Sequence, residues 1–462
     1  MALAQLAVDI RAGLLSPREA VEHALARIDE HDSRLNVVVA SRAEQALAEA
    51  DRAPAGPLRG IPVGIKDVLD VAGMATTGGS RPLGGNVAEV DAAAVARLRA
   101  AGAVVVAKLN THELAYGPTT TSGFLGAARN PWDVGRICGG SSGGSGGAVA
   151  AGLVAGALGT DTAGSIRIPA GFCGVAGVRP TLGLVSTRGM LPLAWSFDTV
   201  GPMAETVEDC ALLLDAISGH DPADPSSRRL GPTACAGALD AGVRGLRVGL
   251  VGELWEAGVD PRVAEACRAG AEGLQRLGAR VERVSLPLVD RAATILAAIQ
   301  FPEATGIHLE LLRHHLADLG ADVRRRLLAG LFAAPWTSLT GQRARRLVAA
   351  EARAALGRVD LLLQPTMPVV APRWTGERLE IEGLDLPADA PPAVAENLFR
   401  LAVLRLTAPW SLAGLPVARV PCALVGGLPA GVSLVGRALD EPRLLAAAHA
   451  LERELGPFRP PL

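Results

Sequence analysis

Two serines set in glycine-rich backbone are the residues of this chain best placed to do chemistry. The first lies in Gly139-Gly140-Ser141-Ser142-Gly143-Gly144-Ser145, the second in Asp161-Thr162-Ala163-Gly164-Ser165-Ile166-Arg167. Glycine lets the main chain turn tightly and approach a ligand, so a serine there presents its hydroxyl beside several free N–H groups. That pairing suits attack on a carbonyl carbon, with donors in place for the oxyanion that forms. A serine attacks poorly unless a base takes its proton, and no histidine lies near either serine in sequence. Upstream, Lys66 ends the apolar stretch Ile61-Pro62-Val63-Gly64-Ile65. Lysine serves as a base when neutral, so its ordinary pKa of about 10.4 must fall to roughly 7, a change that burial against an apolar strand can supply.

Other readings of these segments are weaker. Clustered Gly and Ser often form a flexible linker, but Ala148 to Leu158 is an apolar small-residue stretch that reads as a helix buried on all sides. A phosphate-binding P-loop needs Lys followed by Ser or Thr after its last glycine, and that pair is missing. Both serine runs fit the G-x-S-x-G elbow of α/β-hydrolases, which also requires a downstream acid and histidine. The candidates His308, His314, His315 and His449 all sit in helix-like sequence. For Lys66 the alternative is a surface pair with Asp67.

The order lysine, serine, serine resembles the amidase signature family, and the resemblance spans most of the chain. It runs through Gly60 to Asp67, Lys108 to Gly117, Arg129 to Asp133, the two serine segments, Pro169 to Thr181 and Asp198 to Pro202, with a weaker echo at Leu412 to Pro416 and Leu428 to Val432. It implies an α/β fold with a mixed central β-sheet covered by helices on both sides. By the same resemblance Lys66 is the catalytic lysine, Ser141 the bridging serine after a cis bond from Gly140, and Ser165 the acylated serine. In that cycle Ser165 attacks while its proton moves through Ser141 to Lys66, and the relay then runs backwards to the leaving amine. The turn Thr162-Ala163-Gly164-Ser165 offers main-chain donors for an oxyanion hole, and the change from the family's frequent Gly to Ala163 keeps a donor there. Asp161 and Arg167 read as an ion pair that orders this turn. Cys173 reads as a small buried residue, while Cys138 stands where the family often has proline.

Substrate identity is less legible. The family includes the glutamine-hydrolysing subunit of the tRNA-dependent amidotransferase, in which an Asp three residues before a Thr holds the glutamine amino group and an Asn follows. Here Leu404 and Ser411 occupy those positions around Thr407. An ammonium buried without a carboxylate partner is costly, so glutamine is disfavoured. Tyr116, Trp195, Phe197 and Trp410, with Gly140, are expected near the pocket and suggest a hydrophobic or aryl group on an amide substrate. Carbamate (urethane) or ester cleavage is open to the same machinery. A non-catalytic ligand- or partner-binding member of the family would be expected to lose Lys66 or a serine, and all three are present.

The 462 residues read as a single domain over 1–462, with apolar residues at 49% and 54 glycines fitting a large core with many close turns. Net charge is -2 with both signs interspersed, which gives no footprint for nucleic acid or an anionic membrane. Small uncharged partners and a monomer or homodimer are expected. Six cysteines without C-x-x-C or metal-ligand spacing indicate reduced thiols, and no cofactor or metal is implied. Neither a signal peptide nor a membrane span is recognisable, so a cytoplasmic protein is expected. Ser16, Pro17 and Glu19 form a capping box for a helix running to about Glu30. A helix from about Asp91 to Ala101, stopped by Gly102, precedes a strand over Ala103 to Ala107. A later unit has a strand over Leu246 to Val251, a helix over Pro261 to Leu277 and a strand over Val281 to Val284. Residues 286–350 read as helical and Arg-rich, with Phe332 and Trp336 near a turn, and by resemblance wall the substrate pocket.

Overall fold

In the computed structural model of the chain, which describes residues 2–121, 123–387 and 390–461, the apolar runs become strands of one large sheet. Its strands are β1 (Val38–Ser41), β2 (Pro62–Lys66), β3 (Val104–Leu109), β4 (Gly156–Thr160), β5 (Ala176–Arg179), β6 (Val200–Ala204), β7 (Arg247–Val251), β8 (Arg280–Val284), β9 (Leu361–Pro365), β10 (Val417–Val425) and β11 (Leu428–Val435). They lie in the order β1-β3-β2-β4-β6-β5-β10-β11-β9-β7-β8. β2 runs parallel to β3 and β4, β7 runs parallel to β8 and β9, and the other neighbours are antiparallel, so the sheet is mixed as expected.

Strand β3 shows why helices must cover both faces. Val105 packs in one apolar cluster with Val63, Ile65 and Leu158, while Val104 and Val106 pack in another with Val21, Ile28 and Ala157. Successive side chains point to opposite faces, so a run of valines makes both faces dry. Helix α1 (Pro17–Leu35) starts with the predicted capping box: Ser16 Oγ accepts from Glu19 N at 3.1 Å and Glu19 Oε2 accepts from Ser16 N at 2.8 Å. It continues past Glu30 to Leu35, where Asn36 turns left-handed at φ 51° and its N–H closes onto Asp32 O. Helix α2 (Ala93–Ala100) ends before Gly102, and β3 then runs on to Leu109, two residues beyond the expected Ala107.

The stretch from Ala148 to Leu158 is not one helix. Helix α3 (Gly143–Ala150) starts inside the serine run, a left-handed Gly152 at φ 66° turns the chain, and the remainder enters β4 between β2 and β6. Small apolar residues fit a buried strand as well as a buried helix, and composition does not separate the two. Helix α4 (Arg167–Cys173) follows the second serine. The β7, α5 (Pro261–Arg276), β8 unit forms as expected, with β7 and β8 parallel. Residues 286–350 supply helices α6 (Ala292–Ile307), α7 (Ala321–Leu331) and most of α8 (Pro335–Arg358), and α9 (Pro392–Ala413) packs against α6 and α8. All six cysteines are buried free thiols. Among the described residues no helix is long and apolar enough to cross a membrane.

Glycines let α3 sit at backbone distance from its neighbours. A Cβ at Gly144 would lie 2.3 Å from Asn110 N, 2.5 Å from Asn110 O and 2.6 Å from Val37 O, and none of these is a flexible side chain. Gly144→Ala is therefore expected to destabilise the protein by about 2 kcal/mol. Urea denaturation checks this; an unchanged midpoint would mean that the helix can move away freely.

Candidate active site

The last residues of β2 and β4, parallel neighbours, bring Lys66 and Thr160 to the same end of the sheet. The Lys66 side chain is wholly buried, and its Nζ lies 2.7 Å from Ser141 Oγ and 2.7 Å from Thr160 Oγ1. Burial disfavours the ammonium form and pushes Lys66 down to about 7, against the opposing pull of the Asp161 and Asp198 carboxylates. The alternative of a surface pair with Asp67 does not hold. Asp67 points to a different cation, Lys108, whose Nζ is 3.0 Å from its Oδ1, and it also accepts from the Thr77 hydroxyl.

Ser141 stands at the mouth of α3 after a cis peptide bond from Gly140, as the resemblance implied. Its carbonyl accepts from His112 N at 3.0 Å and from Thr111 Oγ1 at 3.1 Å. The two serine segments are joined through main chain: Ser142 N donates to Ser165 O at 3.1 Å, and Ser142 Oγ donates to Thr160 O at 3.2 Å. The Ser165 hydroxyl makes no hydrogen bond to Ser141 among the described residues, so the contact between Lys66 and Ser141 is closed and the next one is open. A serine hydroxyl rotates freely about χ1, and catalytic hydrogen bonds often tighten when substrate binds.

Asp161, at the end of β4, organises the turn that carries Ser165. Its Oδ1 accepts from Gly164 N at 2.9 Å, Arg167 Nη2 at 2.8 Å and Arg179 Nη1 at 2.9 Å, and its Oδ2 from Arg167 Nε at 2.9 Å and Ile166 N at 3.2 Å. The two guanidiniums hold this carboxyl far below the ordinary carboxylate range, although burial alone would raise it. The expected Asp161–Arg167 pair is thus part of a larger cluster. Arg167 also donates to Thr407 O at 2.8 Å and to Ser411 Oγ at 2.9 Å, which ties the turn to α9. Of the four main-chain N–H groups expected to form an oxyanion hole, one is already hydrogen-bonded. The Gly164 N–H is committed to Asp161, whereas those of Thr162, Ala163 and Ser165 have no hydrogen-bond partner among the described residues.

Ser165 lines a narrow cavity of about 30 Å³ together with Tyr116, Thr162, Ala163, Gln300, Arg400 and Leu404. Of the residues expected to contact substrate, Tyr116 is there. Trp410 is fully buried elsewhere, its Nε1 donating to Gln364 Oε1 at 3.0 Å, and Trp195 is 62% exposed on the surface. Phe197 packs with Leu296 and Leu412 in the core. Gly140 is not in the lining either: a Cβ there would lie 2.7 Å from Gly117 O, so its role is close packing of backbone. From residues 286–350 the cavity takes Gln300 of α6, while Phe332 and Trp336 are exposed. Sequence reasoning missed Thr160, Gln300 and Arg400. Thr160 had a usable signal, since it directly precedes Asp161; the other two lie on helices with nothing local to mark them.

The sequence matches the Amidase family over residues 19–445, and the chain belongs to that family, the amidase signature hydrolases, which act on carbon–nitrogen bonds. Among its relatives, one glutamyl-tRNA(Gln) amidotransferase subunit, from Anaeromyxobacter sp. strain K, is 38% identical over 498 positions, covering 100% of this chain and 97% of its own length. A chain solved in work on the evolutionary origins of an s-triazine catabolic enzyme, within a vestigial protein complex, is 35% identical. It covers 99% of both chains, with a TM-score of 0.92. The corresponding amidotransferase subunit from Thermotoga maritima is 32% identical, covers 96% of this chain and 94% of its own, and has a TM-score of 0.81.

Asp161 offers a stability test of the site. Since its folded pKa is depressed, its contribution is present at neutral pH and lost only as pH falls through strong acid. Asp161→Asn leaves two buried guanidiniums short of a counter-charge and is expected to cost about 3–5 kcal/mol at pH 7. A loss below about 1 kcal/mol in urea denaturation would contradict the assignment.

Proposed function

We propose that the protein hydrolyses a small-molecule amide through an acyl-enzyme on Ser165. The observation that carries this reading is the buried Lys66 amine, pushed to about 7 and 2.7 Å from Ser141 Oγ, with a second serine in a turn whose Thr162, Ala163 and Ser165 N–H groups have no partner among the described residues. Ser165 Oγ attacks the carbonyl carbon as its proton passes to Ser141 Oγ, whose own proton passes to Lys66 Nζ. The N–H groups of Thr162, Ala163 and Ser165 stabilise the oxyanion. Collapse breaks the C–N bond, and the relay returns the proton to the departing amine. Water, deprotonated by the same route, then releases the acid. Carbamates and esters present the same carbonyl and lie within reach of this chemistry. An aryl-specific site loses its main support, because neither tryptophan reaches the cavity.

A second reading, a glutamine-hydrolysing amidotransferase component that works with partner chains, is favoured by the names of the curated relatives at 38% identity. The cavity lining favours the first: Leu404 stands where an ammonium would need a carboxylate, no Asp or Glu joins it there among the described residues, and Arg400 in the same lining would repel the ammonium.

The test is release of ammonia or amine from a panel of amides, carbamates and glutamine by the isolated chain. Lys66→Ala and Ser165→Ala are each expected to lower turnover at least about a thousandfold. Glutamine outrunning every other amide would favour the second reading. Because the base acts when neutral, kcat/KM should fall as pH drops below about 7 and level off above it. A rate that stays flat down to about pH 5 would remove Lys66 as the base.

A further inference from the structure

The cavity beside Ser165 holds a cation that makes no ion pair among the described residues. Arg400, on α9, is 6% exposed and lines the cavity. Its hydrogen bonding is one long contact, from Nη2 to Gln300 Oε1 at 3.4 Å, and its guanidinium lies over the Phe301 ring at 5.4 Å. Among the described residues no carboxylate lies within ion-pair distance of it. The nearest acids are already engaged, for Arg326 Nη1 binds Asp322 Oδ2 at 2.7 Å and Arg326 Nη2 binds Glu396 Oε1 at 2.7 Å. Burial and the neighbouring Arg326 push Arg400 down to about 10, which leaves it charged at neutral pH.

Tyr116 adds a second observation. Its hydroxyl is buried without a hydrogen-bond partner, and its ring meets Phe301 edge-on at 6.2 Å, the same ring that Arg400 covers. Buried polar groups in folded proteins are ordinarily paired, so an unpaired phenol and a guanidinium without an ion-pair partner on one cavity wall together ask for an acceptor. A planar, bidentate anion is what a guanidinium fork fits best.

We infer that Arg400, Tyr116 and Gln300 form a subsite for a carboxylate of the substrate, so that the enzyme acts on short amides that themselves carry a carboxylate. This rests on the amide-hydrolase reading above and narrows it, departing from the uncharged partner expected from composition. Arg400 and Ser165 line the same cavity, and Leu404 with Ala163 supplies an apolar wall for a short linker between the carboxylate and the scissile carbonyl. Hydrolysis of such a substrate, for example succinamate, gives the dicarboxylate and ammonia, with water as the co-reactant.

The test compares malonamate, succinamate and glutaramate with their uncharged diamides. Wild-type enzyme is expected to favour the best acid-bearing amide over its diamide by about a hundredfold in kcat/KM, the scale of a charged hydrogen-bonded pair. Arg400→Met should abolish that ratio. Tyr116→Phe, a change of one hydroxyl, should lower it about tenfold and covers the case in which Arg400→Met does not fold. Diamides turned over as well as or better than the acids, or a ratio that survives both substitutions, would overturn the subsite while leaving amide hydrolysis intact. If no amide is hydrolysed at all, the hydrolase reading fails instead. Calorimetry of succinamate with Ser165→Ala protein then decides the subsite: binding lost on adding Arg400→Met supports it, and no binding overturns it.

Discussion

The proposed hydrolysis depends on an amine kept neutral by being kept dry. Lys66 ends a strand whose residues are all buried, and its Nζ meets two hydroxyls rather than a carboxylate. A carboxylate in that position would restore the charge and destroy the base. Asp161 is near enough to pull in that direction, yet its charge is shared between Arg167 and Arg179. The arginine cluster therefore shapes the turn bearing Ser165 and also limits the field that Asp161 exerts on the amine.

Placing two hydroxyls and an amine in one dry crevice requires backbone to approach backbone, and the glycines make that possible. The α3 segment lies against the Asn110 main chain, and a Cβ at Gly159 would lie 2.9 Å from Ser142 Oγ. Gly164, at φ 135°, bends the turn so that its own N–H goes back to Asp161 while those of Ala163 and Ser165 have no partner among the described residues. Thr407 clamps the same turn from α9, its hydroxyl 2.5 Å from Ala163 O. Ser165, the proposed nucleophile, is thus held between the sheet and a distant helix.

Much of this was legible in the sequence because local patterns carry local geometry. The valine run of β3, the capping box at Ser16 and the spacing of lysine and serines each point to what forms, and the resemblance supplied the sheet that joins them. What failed was long-range. The Ala148–Leu158 stretch has no periodicity to separate helix from strand, and a single left-handed Gly152 decides it. Trp195 and Trp410 looked like pocket residues by type, but their positions depend on how α9 and the surrounding loops pack, with Trp410 bound to Gln364 on β9. Arg400 and Gln300 come together from helices a hundred residues apart in sequence, and neither carries a motif.

The most direct measurement is the titration of Lys66 itself, followed by NMR of ¹⁵N-labelled lysine side chains, with Lys66→Ala protein identifying the resonance. A midpoint near 7 is expected from burial beside Ser141 and Thr160. A midpoint near the ordinary lysine value of about 10.4 would mean that the amine is charged at neutral pH and cannot take the serine's proton.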